Sequence, residues 1–150
     1  MKILTLIILS LAFMGNKSAP VAEVPCVENT TAETYYMFAY GWSSCDKLHF
    51  FIGPAIAVSC KEFDNYYDFS SGNLPGNMES QYVDYLLSEY KSYTKYPCKF
   101  YAGDNTQFST EETRAKIEEE RRELIADYSR KNYVIHKTTY FSYYYDCPDY

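Results

Sequence analysis

Leu48-His49-Phe50-Phe51-Ile52-Gly53-Pro54-Ala55-Ile56-Ala57-Val58-Ser59-Cys60 is the most apolar stretch after residue 22, and its reading decides the fold. Its uninterrupted apolar pieces are too short to cross a bilayer, which takes about 20 residues as a helix. Gly53-Pro54 interrupts it, and proline has no N–H to give to a sheet ladder. The stretch therefore reads as core strand with a bend or bulge, or as two short strands. Upstream, Thr34 to Trp42 (T-Y-Y-M-F-A-Y-G-W) is rich in aromatic residues and reads as another strand. Ser43-Ser44-Cys45-Asp46 supplies the turn between them.

Downstream, Ser70-Ser71-Gly72-Asn73-Leu74-Pro75-Gly76 is a run of turn formers, so residues 61–76 are expected as loop. Asn77 is placed to cap a helix running to about Tyr93. Met78, Tyr82, Tyr85, Leu86, Tyr90 and Tyr93 recur three and four apart, which puts them on one helical face. Pro97 to Ala102 reads as a short strand and Gly103-Asp104-Asn105 as a turn. Ser109-x-x-Glu112 has the form of a capping box, which opens a second helix over about 109–130. That helix is heavily charged, with a thin apolar stripe of Ile117, Leu124, Ile125 and Tyr128. Its favourable pairs are Glu112–Lys116, Glu118–Arg122 and Asp127–Lys131. Tyr133 to Tyr145 reads as the last strand.

The order is then strand, strand, helix, strand, helix, strand. This predicts an α+β domain over residues 35–150, preceded by an extended segment at 23–34. A four-stranded sheet with two helices on one face would bury both apolar stripes.

The N-terminus carries a further pattern. Lys2 is followed by an apolar run from Ile3 to Met14 and by small and polar residues at Gly15, Asn16, Ser18 and Ala19. That is the order of a secretory signal peptide, expected over residues 1–22, with cleavage after Ser18 or Ala22. Losing Lys2 and Lys17 with residues 1–22 takes the formal net charge from −6 to −8. Such a charge repels nucleic acid and anionic lipid surfaces. Neither nucleic-acid binding nor stable membrane insertion is expected.

Cys26, Cys45, Cys60, Cys98 and Cys147 all lie beyond the signal. In an exported chain they read as disulfide candidates, and their spacing lacks C-x-x-C and any Cys/His knuckle. Two bridges leave one thiol that is buried, free or joined to a second copy as a covalent dimer. Sequence leaves the pairing open. Asn29-Thr30-Thr31 is a glycosylation sequon in the polar entry segment, which acts only if the host secretes through a glycosylating compartment.

Several chemistries lack their motifs: G-x-S-x-G, H-E-x-x-H, a phosphate-binding loop and a dinucleotide fingerprint are all missing. No cofactor or metal is expected. Asp64, Asp68, Ser70 and Ser71 do not have the spacing of a calcium loop. Glu118-Glu119-Glu120 is the one dense acidic run, but successive helical side chains diverge by about 100° and do not converge on a substrate. His49 and His136 are the two histidines; each reads as structural or surface, with a small secreted hydrolase using one of them as the rival reading.

Tyrosine is the compositional anomaly, at 18 residues. It offers a large rigid ring with one polar tip and is favoured in binding surfaces. Tyr66, Tyr67, Tyr143, Tyr144 and Tyr145 sit in loops or strand ends and are the candidate contact residues. Neighbours on a strand point opposite ways, so only alternate rings of 143–145 can share a face. The expected function is an exported, non-enzymatic interaction module for an extracellular macromolecule. A structural matrix or coat component is the third reading.

Overall fold

A computed structural model describes residues 33–60 and 65–147. Residues 1–22, Cys26, Asn29 and Asp64 lie outside the described residues. Nine elements follow one another: β1 (Thr34–Ser44), β2 (Leu48–Ile52), β3 (Ile56–Ser59), α1 (Tyr66–Ser71), α2 (Asn73–Glu89), α3 (Lys91–Thr94), β4 (Thr106–Glu111), α4 (Arg114–Arg130) and β5 (Val134–Lys137). The class is α+β, with one five-stranded mixed sheet.

β1 is the spine of that sheet. β2 and β3 lie end to end along one of its edges, antiparallel to it, and β4 runs antiparallel along the other. β5 adds to β2 in parallel. Five strands thus occupy four positions. The apolar stretch that decides the fold is one strand with a bulge: Gly53, Pro54 and Ala55 face Phe38 and Ala39 of β1. The bulge sits where proline could not have joined the ladder. The Gly53 N–H bonds the Ala39 carbonyl at 2.8 Å. A Cβ at Gly53 would come 3.0 Å from that same oxygen, so close backbone approach explains the glycine.

The helices do not share a face. Tyr35, Met37, Ala39 and Phe51 pack with Phe69, Met78, Tyr82 and Leu86 in one core layer. Phe38, Phe50 and Ile52 pack with Ile117 of α4 in another. These strand residues alternate, so α2 and α4 cover opposite sides of the sheet. The strand order supplies the reason. The β3-to-β4 crossover passes β1 in one direction, and the β4-to-β5 crossover returns past β1 and β2 in the other. Crossovers between parallel strands share one hand, so opposite directions place their helices on opposite faces.

Five local expectations are corrected. Residues 66–71 and 73–76 are helical, not loop, with Gly72 extended between the two helices. The Asn65 side chain caps α1 by accepting from the Tyr67 and Asp68 N–H groups at 2.9 and 3.2 Å. α2 begins at Asn73, so Asn77 lies inside it. Pro75 and Gly76 fall in the first turn, where a missing N–H costs nothing because those donors have no helical partner. Pro97–Ala102 contributes a single bridge, Lys99 to Ser44, because β1 ends there. Residues 106–111, including Ser109, form β4 by pairing with β1 from Tyr36 to Gly41. The last strand is four residues long, and 138–147 have no regular structure.

α4 therefore starts at Arg114, capped by the Thr113 hydroxyl accepting from the Lys116 N–H at 3.3 Å. Glu112–Lys116 and Asp127–Lys131 pair as expected, at 3.3 and 2.6 Å, while Glu118 pairs with Arg121 at 2.7 Å. The Arg121 Nε also donates to the Gly53 carbonyl at 2.9 Å, which ties α4 to the bulge. Thr113→Ala should destabilise the fold by about 1 kcal/mol in urea unfolding, the usual cost of an N-cap.

Candidate functional site

Cysteine pairing ties distant parts of the chain together. Cys45 bonds Cys98, and Cys60 bonds Cys147. The first joins the β1–β2 turn to the loop after α3. The second joins the end of β3 to the end of the 138–147 segment. Four thiols are consumed, which removes them as nucleophiles for either histidine.

The 138–147 segment lies across the molecule as a strap. It lacks a ladder, yet it is tied down at several points along its length. The Thr138 N–H bonds the Ile52 carbonyl at 3.0 Å, and the buried Thr138 hydroxyl meets Tyr82 Oη at 2.9 Å. Phe141 is buried edge-on against Tyr82. The Gln81 amide donates to the Tyr144 carbonyl at 2.7 Å and accepts the Tyr144 N–H at 3.1 Å, as a strand partner would. Tyr143 Oη donates to the Leu74 carbonyl at 2.9 Å. The bridge to Cys60 closes the far end.

The candidate tyrosines divide by this geometry. Tyr143 and Tyr145 stack on one side of the strap at 5.5 Å, and Tyr144 points the other way, 80 % exposed. Burial, reinforced by Tyr145, pushes the Tyr143 phenol up to about 12. On α1, Tyr66 is half-buried against Tyr35 and bonds the Thr110 carbonyl of β4, while Tyr67 is exposed. The structure places Tyr66–Tyr67 and Tyr143–Tyr145 on separate elements. It adds Tyr140 of the strap, 91 % exposed, which the sequence left inside an expected strand.

The two histidines, 87 positions apart, meet. His49 Nδ1 and His136 Nε2 are 2.9 Å apart. The parallel β2–β5 register brings this about by setting Phe51 opposite His136. Phe51 stacks on the His136 ring at 4.7 Å, and Tyr90 and Tyr93 flank it at 5.7 and 5.2 Å. His49 is buried, and its Nε2 lies 3.5 Å from a carboxylate oxygen of Asp46 in the β1–β2 turn. That is too long for a good hydrogen bond, but an N–H there is attracted to the carboxylate and a bare lone pair is repelled. With the His49 proton on Nε2, facing Asp46, Nδ1 is the acceptor of the pair and Nε2 of His136 the donor. Burial, and secondarily charge on His49, hold the His136 imidazole below its ordinary value.

A carboxylate beside a histidine is the feature the hydrolase reading asks for. Three surface depressions lie along α4 at Glu120, Leu124 and Asp127, beside Tyr35 and Glu112, and beside Glu79 and Gly103; neither histidine lines them. Among the described residues no cluster of three or more His, Cys, Asp or Glu could hold a metal, and no helix is long and apolar enough to cross a membrane. Sequence reasoning missed Asp46 as the histidine's neighbour, although the i,i+3 spacing across a turn was a usable signal. No known family model matches the chain, and neither a curated protein nor a solved structure shows significant similarity to it.

Proposed function

We propose that the protein is exported and acts outside the cell as a binding module without chemistry of its own, with the 138–147 strap as its contact face. One observation carries the reading. A segment with no regular backbone structure is held by Thr138, Phe141, Tyr143, Tyr144 and Cys147, and it presents Tyr140 and Tyr144 to solvent. Rings carried on a backbone that is already held lose less entropy when a partner covers them, and tyrosine has few side-chain torsions to freeze. Tyr143 and Tyr145 serve as the inner support, and Tyr66 and Tyr67 on α1 form a secondary contact. The partner is an extracellular macromolecule that tolerates the acidic surface of this chain. The pattern of residues 1–22 and two disulfides support export.

Tyr140→Ser with Tyr144→Ser tests the face. Both rings are exposed, so stability should stay within about 0.5 kcal/mol of wild type. Immobilised wild-type protein should retain a discrete partner from the host's extracellular fluid. The double variant should bind that partner at least about 30-fold more weakly, the loss of one hot-spot ring or more. Equal retention by both proteins would remove the strap from the binding face.

A further inference from the structure

We infer that the His49–His136 pair is a proton-operated latch that holds β5 and the strap against the sheet at neutral pH and releases them in acid. Only one hydrogen fits between nitrogens 2.9 Å apart. With the proton of His49 on Nε2 facing Asp46, the one nitrogen of the pair left to accept a proton is His136 Nδ1. A first added proton goes there, and the contact survives as a charge-assisted hydrogen bond. A second added proton has to reach His49 Nδ1, which already faces the His136 N–H. It fits only if the rings part.

Parting the rings strains an element held otherwise by a short ladder to β2, the stack of His136 on Phe51 and the packing of Ile135. β5 is four residues long, pairs with β2 alone, and is half-exposed or exposed throughout. The groups around the pair do not offset the second charge. Asp46 approaches from the β1–β2 turn, on the far side of His49; Phe51 of β2, Tyr90 after α2 and Tyr93 of α3 present uncharged rings; and Lys137, next in β5, is itself a cation. The strap follows β5 without a break at Thr138, so residues 134–146 come free as a loop tethered at Cys147 once the ties at Thr138, Phe141, Tyr143 and Tyr144 give way with β5. These are also the only two histidines in the chain, so its histidine titration in the physiological range resides in this one contact.

The sign follows from the proton count: once His136 is protonated, the open state binds one more proton than the closed pair, so the latch holds at neutral pH and weakens as pH falls. In functional terms this inference rests on the strap as the contact face: binding would switch off in an acidified compartment. The latch itself needs no partner to be measured. NMR of the two imidazoles and of backbone amide protection, from neutral pH to about pH 4.5, reads it directly. The pair should titrate in two steps. Protection of 134–146 should then fall relative to β1 by roughly tenfold per pH unit, for the one extra proton the open state binds. His136→Gln keeps a donor toward His49 Nδ1 and cannot become charged, so its strap should stay protected over the same range. Two independent titrations near the unperturbed value with unchanged strap protection would overturn the latch. So would acid release that is the same in His136→Gln, or loss of β1 and 134–146 together. Loss of partner binding by Tyr140→Ser/Tyr144→Ser tests the contact face separately.

Discussion

Replacing Cys60 and Cys147 together by alanine should cost about 4–5 kcal/mol of stability, the largest effect expected from any change that leaves the sheet intact. The bridge closes a sequence separation of 87 residues. In the chain-entropy model a loop that long removes much of the freedom of the unfolded chain. Native side chains add little to the loss: Cys60 is already buried beside Val58, and alanine fits there. Urea unfolding under non-reducing conditions measures the change. The loss should also be local in the folded state. Without its far anchor the strap keeps the Gln81 clamp on Tyr144 and the Tyr143 bond to Leu74, so limited proteolysis should cut first at 145–147. An unchanged urea midpoint would show that this bridge does not constrain the chain.

Leu86→Ala should cost about 2–5 kcal/mol, the range for deleting a fully buried leucine. Leu86 is wholly buried with Met78 and Tyr82, and α2 docks through these three residues. Its approach to the sheet is set by Gly41: a Cβ there would lie 3.4 Å from Leu86 Cδ1 and 3.0 Å from the Asn105 carbonyl. The helix therefore sits directly on β1 backbone, and a void at position 86 has rigid walls that collapse poorly. The Leu86 carbonyl also accepts from the Tyr90 N–H and the Thr94 hydroxyl, so slack in this turn reaches α3. Glu119→Ala, on the exposed side of α4, should stay within about 0.5 kcal/mol of neutral. Equal shifts in the two variants would contradict the burial of α2.

The difference between these two helices was already visible in their periodicity. Met78, Tyr82 and Leu86 recur at four-residue spacing and are all buried, whereas the stripe of Ile117, Leu124, Ile125 and Tyr128 is thin and only Ile117 is wholly buried. The helix starts were not legible to the same degree. Ser109-x-x-Glu112 satisfies every local requirement of a cap, but residues 106–111 gain more by pairing with β1, and the cap moves to Thr113. Local chemistry pointed to Ser109, and sheet pairing overrode it.

Strand alternation likewise survived the loss of the strand. Residues 138–147 lack a ladder, yet Tyr143 and Tyr145 share a side and Tyr144 takes the other. An extended backbone alternates its side chains whether or not a neighbour is bonded to it.

By itself the sequence determined the class of the fold, a strand from Thr34 to Trp42, the break at Gly53-Pro54, the docking face of α2 and the alternation of the terminal tyrosines. Each depends on residues a few positions apart, where backbone geometry alone relates one side chain to the next. Tertiary structure alone decided that α4 lies across the sheet from α2, that Cys45 pairs with Cys98 and Cys60 with Cys147, and that His49 meets His136. Those pairings join residues 53 to 87 positions apart. They follow from the order in which β4, β1, β2 and β5 lie side by side, and strand order is set by which arrangement buries both apolar layers at once, a property of the whole chain that no local stretch carries.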